Sequence, residues 1–471
     1  MTKNSVVSNL VLGLVMSALT VSVIVSEWLG SRIAEGIADA LLVAMVVAAL
    51  PRLSRSRLGF VTVAVALAVV AFLSRSDWSA ILMHGLERGG FIAAFFVALA
   101  MLRIPSMFSP AIERCGLYLA SRPPGRRYLA LTIGGHLFAL LLNYGSITLL
   151  GGLVESIGQR EKNEAVRAIR NRRMLLAIQR GFASSLCWSP LAFAMAISTS
   201  IIPGSSWSGA VAFGVVSSCI VAGTGWALDT LVKPRLSGPR PAAPAMATSA
   251  SSWRDLYPLL ILLLILGVLV GGLEVLTRLA VTSVVMLVVP VISLAWLALQ
   301  GQARREPGGR YVFERLGGYV LDDLPSYAPE AVLLIMAGFI GAVGGSLLAP
   351  LVQTDGASLG AMPPMLLLVA IVWLIPIAGQ LGMNPILAVS LAAPFLVEMT
   401  GLGIPPNAAI VAITAGWSLS AVTSPFTATV LLIGRLGGVT PLRVGWGWNG
   451  SFIALAGVAL SAWVILVASL F

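Results

Sequence analysis

Gly181-Phe182-Ala183-Ser184-Ser185-Leu186-Cys187-Trp188-Ser189-Pro190 recurs later in the chain as Gly416-Trp417-Ser418-Leu419-Ser420-Ala421-Val422-Thr423-Ser424-Pro425. Both stretches read Gly, aromatic, two spacers, Ser, three spacers, Ser-Pro. Each lies midway along an apolar segment long enough to cross a bilayer. Proline has no N–H, so a Ser-Pro inside a membrane helix frees backbone carbonyls that lipid cannot satisfy. Two such breaks at corresponding places in two halves of a chain point to the binding site of a transporter.

The surrounding composition sets the class. Of the 471 residues, 58% are hydrophobic and 10% charged, with mean hydropathy +0.95. That is the composition of an all-α polytopic membrane protein and leaves no room for a soluble domain. Spans are expected at 8–29, 33–50, 58–73, 89–104, 175–202, 208–228, 257–276, 279–298, 331–352, 407–434 and 446–470. The first is expected as a retained helix, because it lacks a small-residue cleavage site. Cys115, Cys187 and Cys219 fall in or beside membrane segments and suggest neither disulfides nor a metal cluster. The net charge of +11 reflects topology rather than nucleic-acid binding. With the N-terminus in the cytoplasm and the C-terminus outside, only Arg32, Arg75, Arg88 and Arg278 lie outside. All other Lys and Arg fall on the cytoplasmic side, the bias that orients inner (plasma) membrane proteins and draws anionic lipid heads.

Two further apolar segments, 128–154 and 364–398, are expected as re-entrant hairpins. A single span at 128–154 would move the basic run from Arg160 to Arg180 outside, and two full spans would need about 40 residues. Hairpin one turns at Asn143-Tyr144-Gly145-Ser146 and opens inward; hairpin two turns at Gly382-Met383-Asn384-Pro385 and opens outward. Each half then reads hairpin with Asn at the turn, followed by a helix broken at Ser-Pro, in opposite orientation: an inverted-topology repeat. Ser189 lies nine residues from Arg180 and Ser424 eleven from Arg435. At 1.5 Å per residue both breaks sit about 15 Å deep, near the midplane. The expected organisation is scaffold helices over 1–88, a first repeat over 89–228, a Pro/Ala/Ser-rich linker over 229–256, further scaffold over 257–330 and a second repeat over 331–471. The mixed stretches 108–121 and 310–328 are expected as amphipathic interfacial helices or plain loops.

Neutral oxygens dominate the breaks. The candidate substrate ligands are Asn143, Ser146, Ser189, Asn384, Thr423 and Ser424. The candidate Na⁺ ligands, from side chains or freed carbonyls, are Asn143, Gly145, Ser185 and Trp188 in the first half and Asn384, Ser420 and Thr423 in the second. Amide, hydroxyl and carbonyl oxygens suit a small hard cation, and half-helix N-termini suit an anion. No resident cofactor is expected beyond Na⁺ as coupling ion. A buried proton relay needs Asp, Glu or His. Only His136 lies deep, with Glu155 and Glu398 at hairpin ends and Glu274 and Asp355 at the outer edge.

This layout resembles the ion transporter superfamily, in particular its divalent anion/sodium symporter branch. The residues that carry the likeness are the two hairpin turns, the two Ser-Pro breaks, and the stretch from Thr423-Ser424-Pro425 through Leu431-Leu432-Ile433-Gly434 to Thr440-Pro441-Leu442-Arg443-Val444-Gly445. It covers roughly residues 89–470. The resemblance implies about 11 spans plus two opposed hairpins. It also implies ligand roles for Asn143 and Asn384, a homodimer and elevator-type motion. The turns are not Ser-Asn-Thr, and Ser189-Pro190-Leu191 and Ser424-Pro425-Phe426 lack the family's second Pro and its Asn. Dicarboxylate specificity therefore does not carry over.

The sequence thus points to a secondary transporter for a small anion, with Na⁺ coupling. A proton-driven antiporter or exporter of the same fold would rest on Glu155, Glu398 or His136. A membrane enzyme of envelope glycans would need ionisable groups and a large loop at one face, and the outer loops are short.

Overall fold

The computed structural model describes residues 3–159, 161, 163–232, 252–305, 308–360, 363–396 and 403–470. Regular structure among them is helical. In chain order the helices are α1 (Lys3–Leu29), α2 (Arg32–Ala49), α3 (Arg55–Ser74), α4 (Trp78–Met101), α5 (Arg103–Met107), α6 (Pro110–Ala120), α7 (Pro124–Leu142), α8 (Gly145–Gly158), α9 (Glu164–Ser185) and α10 (Phe193–Ile201). They continue as α11 (Trp207–Leu231), α12 (Tyr257–Thr277), α13 (Val281–Ala303), α14 (Gly308–Gly318), α15 (Leu324–Gly360), α16 (Pro364–Gln380), α17 (Pro385–Leu391), α18 (Pro406–Thr423), α19 (Ala428–Gly437) and α20 (Gly450–Ser469). The boundaries follow local chemistry. Proline opens α6, α7, α16, α17 and α18, where its missing N–H costs nothing. Ser31, Ser109, Asn163 and Ser206 cap α2, α6, α9 and α11 by accepting a backbone N–H of the first turn.

Ten described segments are long and apolar enough to cross a bilayer. The expected span 175–202 is not one of them. Its charged first turns and its mid-segment break divide the apolar run between α9 and α10. Burial sorts the spans. In Pro406–Gly437, 89% of the most apolar window is buried, against 11% in Arg57–Ser74, so α18 and α19 lie at the centre and α3 at the lipid face.

Several bounds differ from expectation. The span placed at 89–104 begins at Trp78, because His84, Glu87 and Arg88 are carried within the helix rather than in a loop. The segment placed at 128–154 extends over both sides, with arms α7 and α8 reaching Pro124 and Gly158. The stretch 310–328 is not a separate surface element: α14 runs through a π-helical turn, Tyr319–Asp323, straight into α15. Most of the expected linker and Glu398 lie outside the described residues.

The packing partners come in matched sets. Helix α7 lies along α9 as α16 lies along α18; α8 contacts α19 as α17 contacts α10; α11 packs on α9 as α20 packs on α18. The repeated motif explains the first match. A Cβ on Gly181 would stand 2.1 Å from the Thr132 carbonyl oxygen of α7, and one on Gly416 would stand 2.8 Å from the Val372 carbonyl oxygen of α16. Only glycine lets the broken helix seat on the backbone of the preceding arm, the close approach that membrane helices use in place of a hydrophobic drive.

Gly181→Ala and Gly416→Ala are therefore expected to destabilise the protein by about 1–3 kcal/mol each through overpacking. Gly152→Ala, whose Cβ meets nothing within 4 Å, should leave the melting temperature in detergent unchanged.

Candidate functional site

In the first half, α9 stops at Ser185 and the chain runs irregularly to Ala192 before α10 begins. The Ser185 hydroxyl donates to the Phe182 carbonyl at 2.7 Å. Buried Ser189 donates its N–H to the Ser185 carbonyl at 3.0 Å, and its Oγ accepts the Leu191 N–H at 3.2 Å, a turn that carries the chain past Pro190. Helix α7 adds the one imidazole at this depth. The Trp188 indole N–H donates to His136 Nε2 at 3.2 Å, which makes Nε2 the acceptor and puts the ring proton on Nδ1. Nδ1 then donates to Ser184 Oγ at 2.8 Å, and Ser184 passes its own proton to the Gly181 carbonyl at 2.7 Å. Both ring nitrogens are thus engaged in the neutral form. The Trp188 carbonyl takes the Trp207 indole N–H at 2.8 Å.

The turn of hairpin one is tight. Asn143 adopts φ 48°, and its carbonyl accepts both the N–H and the hydroxyl of Ser146, at 3.0 and 2.7 Å. Tyr144 stacks on Phe182, the aromatic of the first motif, with centroids 5.3 Å apart. Beside Gly145 stands Arg103, its Nε 4.0 Å from where a Cβ would be, held by a 2.6 Å hydrogen bond to the Tyr327 hydroxyl. A cation next to this turn was not foreseen, because an Arg at the end of a span reads like any loop Arg.

In the second half, α18 ends at Thr423 and α19 resumes at Ala428. The Thr423 hydroxyl donates to the Leu419 carbonyl at 2.8 Å. The Ser424 hydroxyl crosses to hairpin two, donating to the Gly379 carbonyl at 2.6 Å, and its Oγ accepts the Phe426 N–H at 3.3 Å. Pro425 removes the N–H that would have paired with the Ala421 carbonyl; the Thr429 hydroxyl reaches back across the break and donates to that same oxygen. A hydroxyl one turn beyond the proline is the sequence signal for this repair. Ser420 Oγ is fully buried and has no hydrogen-bond partner. It faces Gly379, whose Cβ would lie 2.6 Å away. Asn384 caps α17, its Oδ1 accepting the Ile386 N–H at 2.9 Å, and Gly382 of the same turn faces Phe426.

Each hairpin therefore meets the motif of its own half, the first through His136 and Tyr144 and the second through Gly379 and Gly382. No hydrogen bond joins Asn143 to Asn384; each serves its own turn. Hydrogen bonds that join the halves include Ser418 Oγ to the Ala183 carbonyl at 2.9 Å, the Trp463 indole N–H to the Phe213 carbonyl at 3.2 Å, and the Asn449 amide nitrogen, which donates to Gln179 Oε1 as well as to the Val422 and Val444 carbonyls of its own half. One acidic residue, Glu330, lies within electrostatic reach of Tyr144 and Arg103 at the first hairpin turn; two others stand apart from both breaks. Glu155 is exposed, and buried Glu274 accepts the N–H groups of Trp207 and Ser208 at the start of α11. Among the described residues no three His, Cys, Asp or Glu side chains gather as a metal site, and Cys115, Cys187 and Cys219 are free.

The sequence matches no family model and no curated protein. Solved structures do match. The YdaH transporter of Alcanivorax borkumensis, described as having an unusual topology, is similar at 19% identity with a TM-score of 0.56, covering 87% of this chain and 98% of that one. MtrF of Neisseria gonorrhoeae, described within a class of antimetabolite efflux pumps, is similar at 13% identity with a TM-score of 0.53, covering 88% of this chain and 95% of that one. The chain shares the polytopic helical membrane fold of these two proteins, and the likeness does not place it specifically in the divalent anion/sodium symporter branch.

The repair of the second break is open to test. Thr429→Val should leave the Ala421 carbonyl buried and unpaired and cost about 1–3 kcal/mol, read as a lower melting temperature, whereas Thr429→Ser should retain most of the stability.

Proposed function

We propose that this protein is a secondary transporter for a small anion, a carboxylate or oxyanion, driven by Na⁺ and working by elevator-type alternating access. The observation that carries the reading is the doubled arrangement of hairpin on broken helix, each half joined through its motif glycine and each hairpin meeting the motif of its own half. In this reading α7–α8 and α16–α17 are oppositely directed re-entrant hairpins of an inverted repeat, within 89–228 and 331–471. The Lys and Arg bias supports an inner-membrane protein with its N-terminus in the cytoplasm. The homodimer implied by the sequence resemblance belongs to the same proposal.

The two halves differ in what they offer. Ser420 supports a Na⁺ site in the second half: a buried hydroxyl oxygen without a partner is costly unless something binds it, and Thr423 and Ser424 keep lone pairs after donating their protons. Asn384 completes the neutral set from hairpin two, with Asn143, Gly145, Ser185 and Trp188 as the corresponding first-half set. For the anion, the N-terminal end of α8 carries partial positive charge and Arg103 stands beside Gly145, next to Asn143 and Ser146. Ser189 is the remaining polar group of that half.

A second reading, proton-driven export, is favoured by the likeness to MtrF, which is described as an efflux pump. Against it stands His136, whose Nε2 cannot take a proton without expelling the Trp188 N–H. Glu155 and Glu398 are the acidic candidates the sequence offers it, and Glu330, near Tyr144 and Arg103, is a further one.

Liposome flux measurements under imposed Na⁺ or H⁺ gradients, over a panel of carboxylates and oxyanions, decide between the two. A Na⁺ gradient is expected to drive uptake. Ser420→Ala should raise the Na⁺ concentration for half-maximal rate by about tenfold, the equivalent of about 1.4 kcal/mol. Arg103→Gln should weaken anion affinity without altering the Na⁺ requirement. Single cysteines at Ser146 and Ser424 should be protected from labelling by Na⁺ and substrate. Flux that ignores Na⁺ and follows the proton gradient, with Glu155 and Glu398 setting its pH profile, would replace this reading with the exporter.

A further inference from the structure

Away from the breaks, a cavity of about 300 Å³ opens between the middle turns of α9, the start of α7, the end of α11 and the start of α20. Its wall holds three guanidinium groups, Arg172, Arg173 and Arg180, and one carboxylate, Asp229. Asp229 is already committed: Arg173 grips both of its oxygens, Nε to Oδ1 and Nη2 to Oδ2, each at 2.7 Å. That pair is neutral and ties α9 to α11.

Arg180 is different. It is 4% exposed, and every acceptor it uses is neutral: Asn449 Oδ1 at 3.1 Å, the Tyr128 hydroxyl at 3.0 Å and the Trp448 carbonyl at 3.4 Å. Its guanidinium lies over Phe452, 4.5 Å from the ring centroid. Gly225 of α11 makes room for this, since a Cβ there would come within 3.0 Å of Arg180 Cδ and 3.1 Å of the Tyr128 oxygen. Arg172 extends past Trp448, 5.6 Å from its ring, to the open side of the cavity. Burial and then the neighbouring positive charges of Arg180 and Arg443 hold the Arg172 guanidinium below its ordinary range. Among the described residues no carboxylate balances Arg172 or Arg180. The undescribed chain that follows Val232, residues 233–251, contains no Asp or Glu and adds Lys233, Arg235 and Arg240.

A buried charge without a counter-charge costs several kcal/mol, and neutral hydrogen bonds offset only part of it. A second positive charge across the same cavity adds repulsion. Both penalties vanish when an anion sits between the two forks. Apolar groups complete the lining: Ile169, Leu176, Leu228 and the Trp448 indole, with Val232, 71% exposed, at the edge. Cationic forks beside an indole and an apolar lining match a phosphate that carries a hydrocarbon chain.

We propose that Arg172 and Arg180 form a binding site for a phosphate-bearing anion, in the cavity walled by Tyr128 and Trp448 and separate from the transport breaks. The shared chemistry is a phosphate oxygen pair gripped by two guanidinium groups. An anionic phospholipid headgroup and free phosphate both carry it, and the apolar lining favours the lipid. The inference does not rest on the transport reading, because neither residue belongs to the proposed substrate or Na⁺ set.

The test uses the full chain, purified in detergent and stripped of lipid, and reads melting temperature and bound ligand by native mass spectrometry. One arm titrates phosphatidylglycerol in mixed micelles against phosphatidylcholine; the other titrates inorganic phosphate against chloride at matched ionic strength. The wild type should be stabilised by phosphatidylglycerol or by phosphate, and not by the zwitterionic lipid or chloride. Response to phosphatidylglycerol alone identifies a lipid headgroup; an equal response to phosphate identifies a free oxyanion; either supports the site. Arg172→Gln, which removes no internal hydrogen bond, should weaken binding about tenfold while leaving the ligand-free melting temperature unchanged. Arg180→Lys, which keeps the charge and loses the fork, should also weaken it, even if Arg180→Gln does not fold. Arg305→Gln, an equal loss of charge at an exposed site, should bind as the wild type does. Wild-type affinity in both Arg172→Gln and Arg180→Lys, or no preference for phosphatidylglycerol or phosphate over their controls, overturns the assignment.

Discussion

Two backbone-on-backbone contacts organise this molecule. Gly181 of α9 seats on the Thr132 carbonyl of α7, and Gly416 of α18 seats on the Val372 carbonyl of α16. In lipid there is no hydrophobic gain from bringing apolar helices together, so contact area and polar pairing must hold them. The glycines supply the area and fix the register along each pair. From that register His136 comes level with Ser184 and Trp188, and Gly379 comes level with Ser420 and Ser424. Without it, both breaks would present unsatisfied backbone to hydrocarbon.

The two halves share a motif and diverge in how they close it. The first break is braced from outside itself, by an imidazole on the neighbouring arm and an indole that bonds to it. The second is closed mainly by hydroxyls, and the closure leaves Ser420 buried without a partner. A matching backbone plan thus gives one break rich in aromatic contacts and one rich in bare oxygen. That difference, rather than the repeat, assigns the cation to the second half and the anion to the first in our reading.

Much of the helical plan was legible in the sequence because hydropathy over a span-length window measures what lipid demands. It failed where polar residues sit inside a helix. His84, Glu87 and Arg88 masked the first turns of α4. The Ser-Pro breaks were legible because proline's missing N–H is a local fact. The identity of their partners was not. Arg180 and Asn449 are 269 residues apart, and nothing in either neighbourhood names the other. Asn143 and Asn384 stood out as an amide pair, yet both act locally in their turns, Asn143 through its backbone carbonyl to Ser146 and Asn384 through its side-chain oxygen to Ile386.

The Thr429 hydroxyl has a mechanical meaning as well as a chemical one. It belongs to α19, and the oxygen it holds belongs to α18, so it acts as a splint across the discontinuity at Ser424-Pro425. A break in a helix ordinarily behaves as a pivot. Splinted in this way, and pinned to the adjoining hairpin through Ser424 and Gly379, the two half-helices are fastened into one rigid lever with α16. In our elevator reading, displacement of this half would turn about its borders and not about the kink at its heart.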